Sequence, residues 1–501
     1  MLENLAIGFA AAMTVENLMW CFIGVFLGTF IGVLPGVGAL AAISLLLPIT
    51  YYLEPLTAIV MLAGIFYGAE YGGSISAILL NLPGTTSSAV VCLDGYPMAQ
   101  QKRAGVALFI TAIASFIGGS IGIVLLTVAG PLFVTLALNF SAPEYFALIV
   151  LGLIAASTIS QGSRLKGFAM VLVGLGLGTV GMDISTGIPR FTLGIDELFD
   201  GISIVALAMG LFGVAEIIVS VRHSTQRSQI PKFTMRDMLP TRNETGRTVK
   251  PILRGASIGS FFGALPGTGA TVASFISYSF EKQLSRTPEQ FGKGAVEGIA
   301  APESSNNAAA LTAFIPTLTL GIPGTASMAL ILGAFMIHGI TPGPSLMTAQ
   351  PNLFWGLIVS FWIGNLLLLI LNIPLIRIWV ALLQIPYRYL YPAIITLICV
   401  GVYSLDRSVF DVFLVLGLGM LGYGMRLLNF EPATLLLGFV LGPLLEENFR
   451  RALVISRGDY GVFIDRPVSG CVLFLALLML AWTVWKGLRK RRAATSEHES
   501  A

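Results

Sequence analysis

The sequence predicts an all-α polytopic membrane protein of about 11–12 transmembrane helices, in two inverted repeats with Pro-Gly-broken helices or re-entrant hairpins. Composition, a duplicated glycine ladder and the placement of positive charge carry that prediction. The chain has 501 residues, 55% hydrophobic and only 11% charged, with a mean hydropathy of +0.85. A soluble domain carries about 25% charged residues, so this composition is matched to lipid. The ladder is the run Gly24, Gly28, Gly32, Gly36, ending in Leu34-Pro35-Gly36-Val37-Gly38-Ala39. It returns at a constant offset as Gly255, Gly259, Gly263, Gly267, ending in Leu265-Pro266-Gly267-Thr268-Gly269-Ala270, with Phe30 and Ala42 echoed by Phe261 and Ala273. Glycines four apart leave one helix face smooth, so that another backbone can approach closely in lipid. The proline then removes a backbone donor, and the flanking glycines free the chain to leave the helix.

Charge sets the order of the elements. No Lys or Arg precedes Lys102, whereas Arg222–Arg254 holds eight basic residues against Asp237 and Glu244. By the positive-inside rule that stretch is cytoplasmic, as is the tail with Lys486, Arg489, Lys490, Arg491 and Arg492. The N-terminus has Glu3 and Glu16 but no basic n-region, which argues against a cleaved signal peptide and for an outside start. The expected division is residues 1–221 as repeat one, 222–254 as basic cytoplasmic loop, 255–485 as repeat two and 486–501 as basic tail. A first repeat that starts outside and a second that starts inside make the duplication inverted, with an odd number of spans, roughly eleven. Ala104–Ala129, Leu353–Ile376 and Val468–Trp485 are long enough to cross a bilayer uninterrupted. Trp20, Tyr51 and Tyr52, Trp379 with Tyr387, Tyr389 and Tyr391, and Trp482 with Trp485 read as interfacial anchors. Cys21, Cys92, Cys399 and Cys471 lie in or beside apolar runs without paired spacing, and read as small core residues.

Each half also carries a second interruption. Leu82-Pro83-Gly84-Thr85-Thr86-Ser87-Ser88-Ala89 is echoed by Ile322-Pro323-Gly324-Thr325-Ala326-Ser327-Met328-Ala329. Unwound backbone at membrane depth is tolerated only where protein buries it or water reaches it, so four breaks imply a shared cavity. Helix N-termini opened at the breaks direct N–H groups and a positive dipole end into it. The expected substrate-binding residues are Pro83, Gly84, Thr85, Thr86, Ser87, Ser88, Ser304, Ser305, Asn306, Asn307, Pro323, Gly324, Thr325 and Ser327. Their donors are neutral and suit a small carboxylate held without a dedicated Arg. Carbonyls freed around Pro35, Gly36, Gly38, Asn81, Pro266, Gly267 and Gly269 would shape the backbone or hold a hard cation, sodium or else a proton carrier nearby. For each hydroxyl taken alone, helix capping or packing is the competing role.

Glu70 and Glu303 lie inside apolar segments, where a carboxylate is costly. They could take a coupling proton, help bind a cation, or brace the broken helices. The spacing around them differs between the halves, so pairing them as repeat mates is less secure than pairing the ladders. Asp94 and His338 follow the second motifs and could simply mark helix ends. No H-E-x-x-H, G-x-S-x-G or Walker A pattern occurs, which leaves no catalytic residues, no metal ligands and no cofactor to assign. A net charge of +3 gives no footing for nucleic acid.

These segments resemble a known family, the large membrane (permease) subunit of bacterial tripartite tricarboxylate transporters. The resemblance rests on Gly28-x3-Gly32-Val33-Leu34-Pro35-Gly36-Val37-Gly38-Ala39, Tyr67-Gly68-Ala69-Glu70-Tyr71-Gly72-Gly73-Ser74, Asn81-Leu82-Pro83-Gly84-Thr85, Ala301-Pro302-Glu303-Ser304-Ser305-Asn306-Asn307-Ala308-Ala309 and Gly321-Ile322-Pro323-Gly324-Thr325. It runs over nearly the whole chain, including the basic central loop. It implies a secondary transporter of the bacterial inner membrane, importing citrate or a related carboxylate on a sodium or proton gradient. It also implies two partners: a small membrane subunit and a periplasmic substrate-binding protein. A membrane-embedded enzyme acting on a lipid-linked substrate and a passive anion channel are the alternatives. The first lacks an aspartate-rich metal motif or an activated nucleophile; a gradient dependence would separate the second.

Overall fold

The computed structural model describes residues 2–159, 163–183, 186–223, 235–265, 267–383 and 387–482. Pro266, residues 224–234 of the basic loop, Trp485 and the tail 486–501 lie outside the described residues. The described chain is almost wholly helical, as an apolar environment demands of a backbone that must satisfy its own hydrogen bonds.

The first half opens with α1 (Leu2–Ala12) and α2 (Val15–Val33), the latter capped by the Thr14 hydroxyl, which accepts from the Asn17 N–H. At Leu34-Pro35 the helix stops, and Gly36 and Gly38 take φ of +85° and +72°, left-handed values that a side chain would oppose. The chain resumes as α3 (Gly38–Thr50) and then α4 (Pro55–Leu80), which ends at Asn81 in the left-handed region. A 3₁₀ turn (Ser87–Val91) leads into α5 (Cys92–Gln100) and the long α6 (Ala104–Ala137).

The ladder does what its spacing predicts. Gly24, Gly28 and Gly32 lie against the backbone of Met61, Ile65 and Ala69 on α4, and Gly64, Gly68 and Gly72 of α4 face back onto α2. Because these contacts rise together in number, α2 and α4 run parallel, and α3 must carry the chain back between them. Its 13 residues cover only about 20 Å, less than the ~30 Å hydrocarbon core, so α2 and α3 form a re-entrant hairpin.

Next come α7 (Ala142–Ile159), α8 (Arg164–Gly178) and a two-residue antiparallel ladder, β1 (Gly181–Met182) with β2 (Pro189–Arg190). Then α9 (Ile204–Ala208) passes through a π turn (Met209–Val214) into α10 (Ala215–His223). Part of the stretch expected to be loop is helical: α11 (Arg242–Gly263) starts within it, because Thr241 and Glu244 form a capping box. There burial alone would raise the pKa of Glu244, but hydrogen bonds from Thr241 and the Arg103 guanidinium outweigh it and hold the carboxyl below the usual range.

The second half repeats the plan. After Gly267 and Gly269, at φ of +88° and +65°, α12 (Gly269–Leu284) turns back, and Arg254 Nε donates to Glu281 at 2.9 Å across the hairpin. Then α13 (Glu297–Thr312) and α14 (Phe314–Leu320) end at Gly321, again left-handed, and α15 (Ala326–Ile337) follows with Thr325 as its cap and His338 at its end. Gly255, Gly259 and Gly263 lie on Ala301, Ser305 and Ala309. Pro35 and Pro266 are 231 residues apart, whereas Pro83 and Pro323, like Asn81 and Gly321, are 240 apart. The ladder contacts obey the same 240, so Glu70 corresponds to Ala310 and Glu303 to Ala63. The two glutamates are therefore not repeat mates.

The halves meet antiparallel. Ser74 donates to Glu303 at 2.7 Å while Phe66 packs on Phe314, so numbers rise along α4 as they fall along α13 and α14. The duplication is inverted, and the two hairpins enter from opposite sides. Between the halves sits a clamp: buried Asp94 of α5 accepts from the N–H groups of Gly292, Gly294 and Ala295 at 2.8–2.9 Å and from the Tyr278 hydroxyl at 2.9 Å.

The chain continues as α16 (Leu346–Ala349), α17 (Pro351–Asn372), α18 (Ile376–Leu382), α19 (Tyr387–Asp406), α20 (Val409–Leu427), α21 (Pro432–Ile455), α22 (Val462–Asp465) and an apolar helix at Pro467–Trp482. Among the described residues only α2, α4, α6, α17 and α20 are long and apolar enough to cross alone, beside seven shorter apolar helices. Trp379 is not an interfacial anchor: it is fully buried, donates to Leu371 O at 2.9 Å and packs on Phe26. Tyr51 and Tyr52 are exposed, as anchors should be. Of the four free cysteines Cys21 is buried, but Cys471 is exposed and not a core residue.

Candidate functional site

In each half the two interruptions are stitched together through backbone. Gly36 N–H donates to Pro83 O at 3.3 Å, and Gly267 N–H to Gly324 O at 2.8 Å. Gly84 shows why the residue type matters: a Cβ there would overlap the Gly32 carbonyl oxygen and lie 2.6 Å from Gly73 Cα. Around the first-half pair opens a cavity of about 620 Å³. Of the expected residues, Gly36, Gly38, Glu70, Pro83, Gly84, Thr85, Thr86 and Ser327 line it. The first turn of α3 forms one wall, and its leading N–H groups have no acceptor within the helix.

The remaining candidates support this wall or lie elsewhere. Pro35 sets the break behind Gly36, and Asn81 is an exposed left-handed cap. Ser87 donates to Glu70, Thr85 Oγ1 does so at 3.3 Å, and Ser88 bonds both the N–H and the carbonyl of Thr85. Thr86 Oγ1 meets Thr271 Oγ1 at 2.8 Å, tying the first-half turn to α12. In the second half Gly267 packs on Ala155 and Gly269 on Thr325, Gly324 accepts from Gly267, and Thr325 caps α15 with Pro323 just before it. None of these four break residues, nor Pro323, lines the cavity.

Ser304, Ser305 and Asn307 are not cavity residues either. Ser304 Oγ donates to Ile252 O at 2.8 Å, and Ser305 lies under Gly259. Asn307 Nδ2 donates to Ser115 Oγ at 2.8 Å and to Glu303 at 3.2 Å. With Ser74 and Ser115, which donate at 2.7 and 2.8 Å, Glu303 ties α4, α6 and α13 together: it braces. Glu70 both braces the Thr85–Ser87 turn and faces the cavity. Asn306 is different from its neighbours. It approaches Glu70 from α13 and is 1% exposed, yet neither its amide nitrogen nor its oxygen has a partner at hydrogen-bond distance.

The opposite wall was missed in the sequence. It comes from Phe212 and Glu216, in and just beyond the π turn, from Arg426 in the last turn of α20, and from Asn429 and Glu431 between α20 and α21. Arg426 forms an ion pair with Glu216. The signal was available: Glu216 interrupts an apolar run and Arg426 closes another, where an ionisable residue is by default functional. Among the described residues the cavity is therefore lined by one guanidinium and three carboxylates, Glu70, Glu216 and Glu431. No cluster of three or more metal-ligating side chains occurs among the described residues.

Residues 18–437 match the family described as the tripartite tricarboxylate transporter TctA family. An uncharacterized 52.8 kDa protein in the TAR-I ttuC' 3' region of Agrobacterium vitis is 52% identical over 492 residues, 98% of each chain. An uncharacterized protein in the TAR-II ttuC' 3' region of the same organism is 56% identical over 234 residues, 47% of this chain and 97% of its own. No solved structure matches the chain.

Proposed function

The chain belongs to the tripartite tricarboxylate transporter TctA family, and from that premise we propose that it is the large membrane subunit of a secondary active transporter importing a small carboxylate across the bacterial inner membrane. Citrate or a related acid is the substrate, a periplasmic binding protein delivers it, and a small membrane subunit completes the assembly. A sodium or proton gradient drives uptake. The observation that carries this reading is the charge inventory of the cavity. Backbone N–H groups, Thr85, Thr86 and Arg426 offer donors to a carboxylate, while three glutamates surround the same space. In a low-dielectric site an anion entering beside Glu70 and Glu431, with Glu216 already paired to Arg426, is helped by a cation that enters with it or by a proton taken up by a glutamate. That electrostatic gain favours cation-coupled uptake over a passive anion channel.

Reconstituted vesicles test the reading. Uptake of citrate, succinate or malate by the two membrane subunits should require both the binding protein and an inward sodium or proton gradient. Full uptake by this subunit alone, or uptake indifferent to both gradients, would rule it out.

A further inference from the structure

We propose that Arg426 is the group that recognises the substrate carboxylate, and that Glu216 is its internal counter-ion, displaced when the substrate binds; this rests on the transport reading above. Both side chains line the same cavity and are paired with each other across α20 and α10. The Arg426 side chain is 31% exposed and the Glu216 side chain 9%, so of these two lining residues the guanidinium is the more accessible partner. A guanidinium has five N–H donors and one carboxylate engages two at most, which leaves donors for an incoming acid.

Exchange of one carboxylate for another keeps Arg426 paired throughout, which avoids the large cost of leaving a desolvated charge alone. A proton or a sodium ion arriving at Glu216, in a cavity that Glu70 and Glu431 also line, weakens its hold on Arg426 and so eases the exchange. Substrate binding and cation binding are thereby linked through one carboxylate. The backbone is suited to such a movement. Glu216 stands just past the π turn Met209–Val214, and a π turn converting to α shifts every following side chain by one position. Gly210, Gly419 and Gly422 bring α20 close against that turn, so such a shift would be felt at the Arg426 contact.

Binding of radiolabelled citrate, succinate and malate to the purified complex of both membrane subunits, at varied sodium and pH, tests the exchange. Arg426→Gln should raise the Kd at least tenfold, and Arg426→Lys should recover part of the loss. Glu216→Gln should do the opposite, lowering the Kd and flattening its dependence on sodium and pH. The lysine and glutamine variants at the two positions keep the test decisive if Arg426→Gln does not fold. If Arg426→Gln leaves the Kd unchanged, or both positions shift it equally in one direction, the pair is a helix brace and the proposal falls. If the wild-type complex neither binds nor accumulates any of the three acids, the transport reading falls with it; binding that survives in Arg426→Gln overturns this proposal alone.

Discussion

At Asn306, folding and function pull apart. Its amide approaches Glu70 without closing to an ordinary hydrogen bond, and a buried amide left so poorly paired costs about 1–3 kcal/mol, so a side chain selected only for stability would not be retained in that form. Asn306→Leu, of similar volume, should leave thermal stability in detergent unchanged or higher while carboxylate uptake falls. Loss of both together would make Asn306 a structural residue. Gly84 offers the converse. Gly84→Val would drive a side chain into the Gly32 carbonyl and Gly73 Cα, so the wall of the cavity must move. Uptake should vanish while membrane insertion, judged by fractionation, persists. The sequence showed the breaks because Pro and Gly act locally. It did not show that Arg426 pairs with Glu216, because no local pattern says that a residue at the end of α20 meets one on α10 more than two hundred positions earlier. That Ser304, Ser305 and Asn307 stand outside the lining of the cavity was not legible for a related reason: a polar cluster on a helix suits packing against glycine as well as it suits a ligand.

Helices here are defined by what they press against. A Cβ at Gly28 or Gly259 would overlap the backbone of Ile65 or Ser305, and that closeness, visible as a four-residue period, made the hairpins legible. The first return helix was not legible as a half-span, because α3 is as apolar as a full span and only shorter. The start of α11 carries a pH signature. The Glu244 carboxyl is held below its ordinary pKa, so its stabilising contribution is complete above the unfolded value and disappears as pH falls through the depressed one. Thermal melts of the wild type should therefore lose more stability on acidification below about pH 4.5 than melts of Glu244→Gln. Parallel curves would mean that the cap contributes nothing.

For the molecule as a whole, the antiparallel meeting of α4 with α13 and α14 fixes a sidedness. A cysteine at Tyr52, beside the mouth of the first hairpin, should be labelled from the side opposite the basic loop, and one at Arg286, beside the mouth of the second, from the loop side. Labelling of both from one face would refute the inverted arrangement. Inversion was readable in the sequence from the distribution of Lys and Arg, since that asymmetry is global. The register was not, because the connection 285–296 between α12 and α13 is longer than its counterpart 51–54 and hides which glutamate faces which helix.

That longer connection is the one Asp94 grips, and the grip makes the halves non-interchangeable. The carboxylate is contributed by one half and the three N–H groups that receive it by the other. A dimer of two first halves would bury two aspartates with nothing to accept from, each an uncompensated charge that costs about 3–5 kcal/mol. Severed within the basic loop and co-expressed, residues 1–228 and 229–501 should copurify as a heterodimer, whereas two differently tagged copies of 1–228 should not find each other. What began as a repetition is now a lock and its key, able to recognise its complement and to refuse itself.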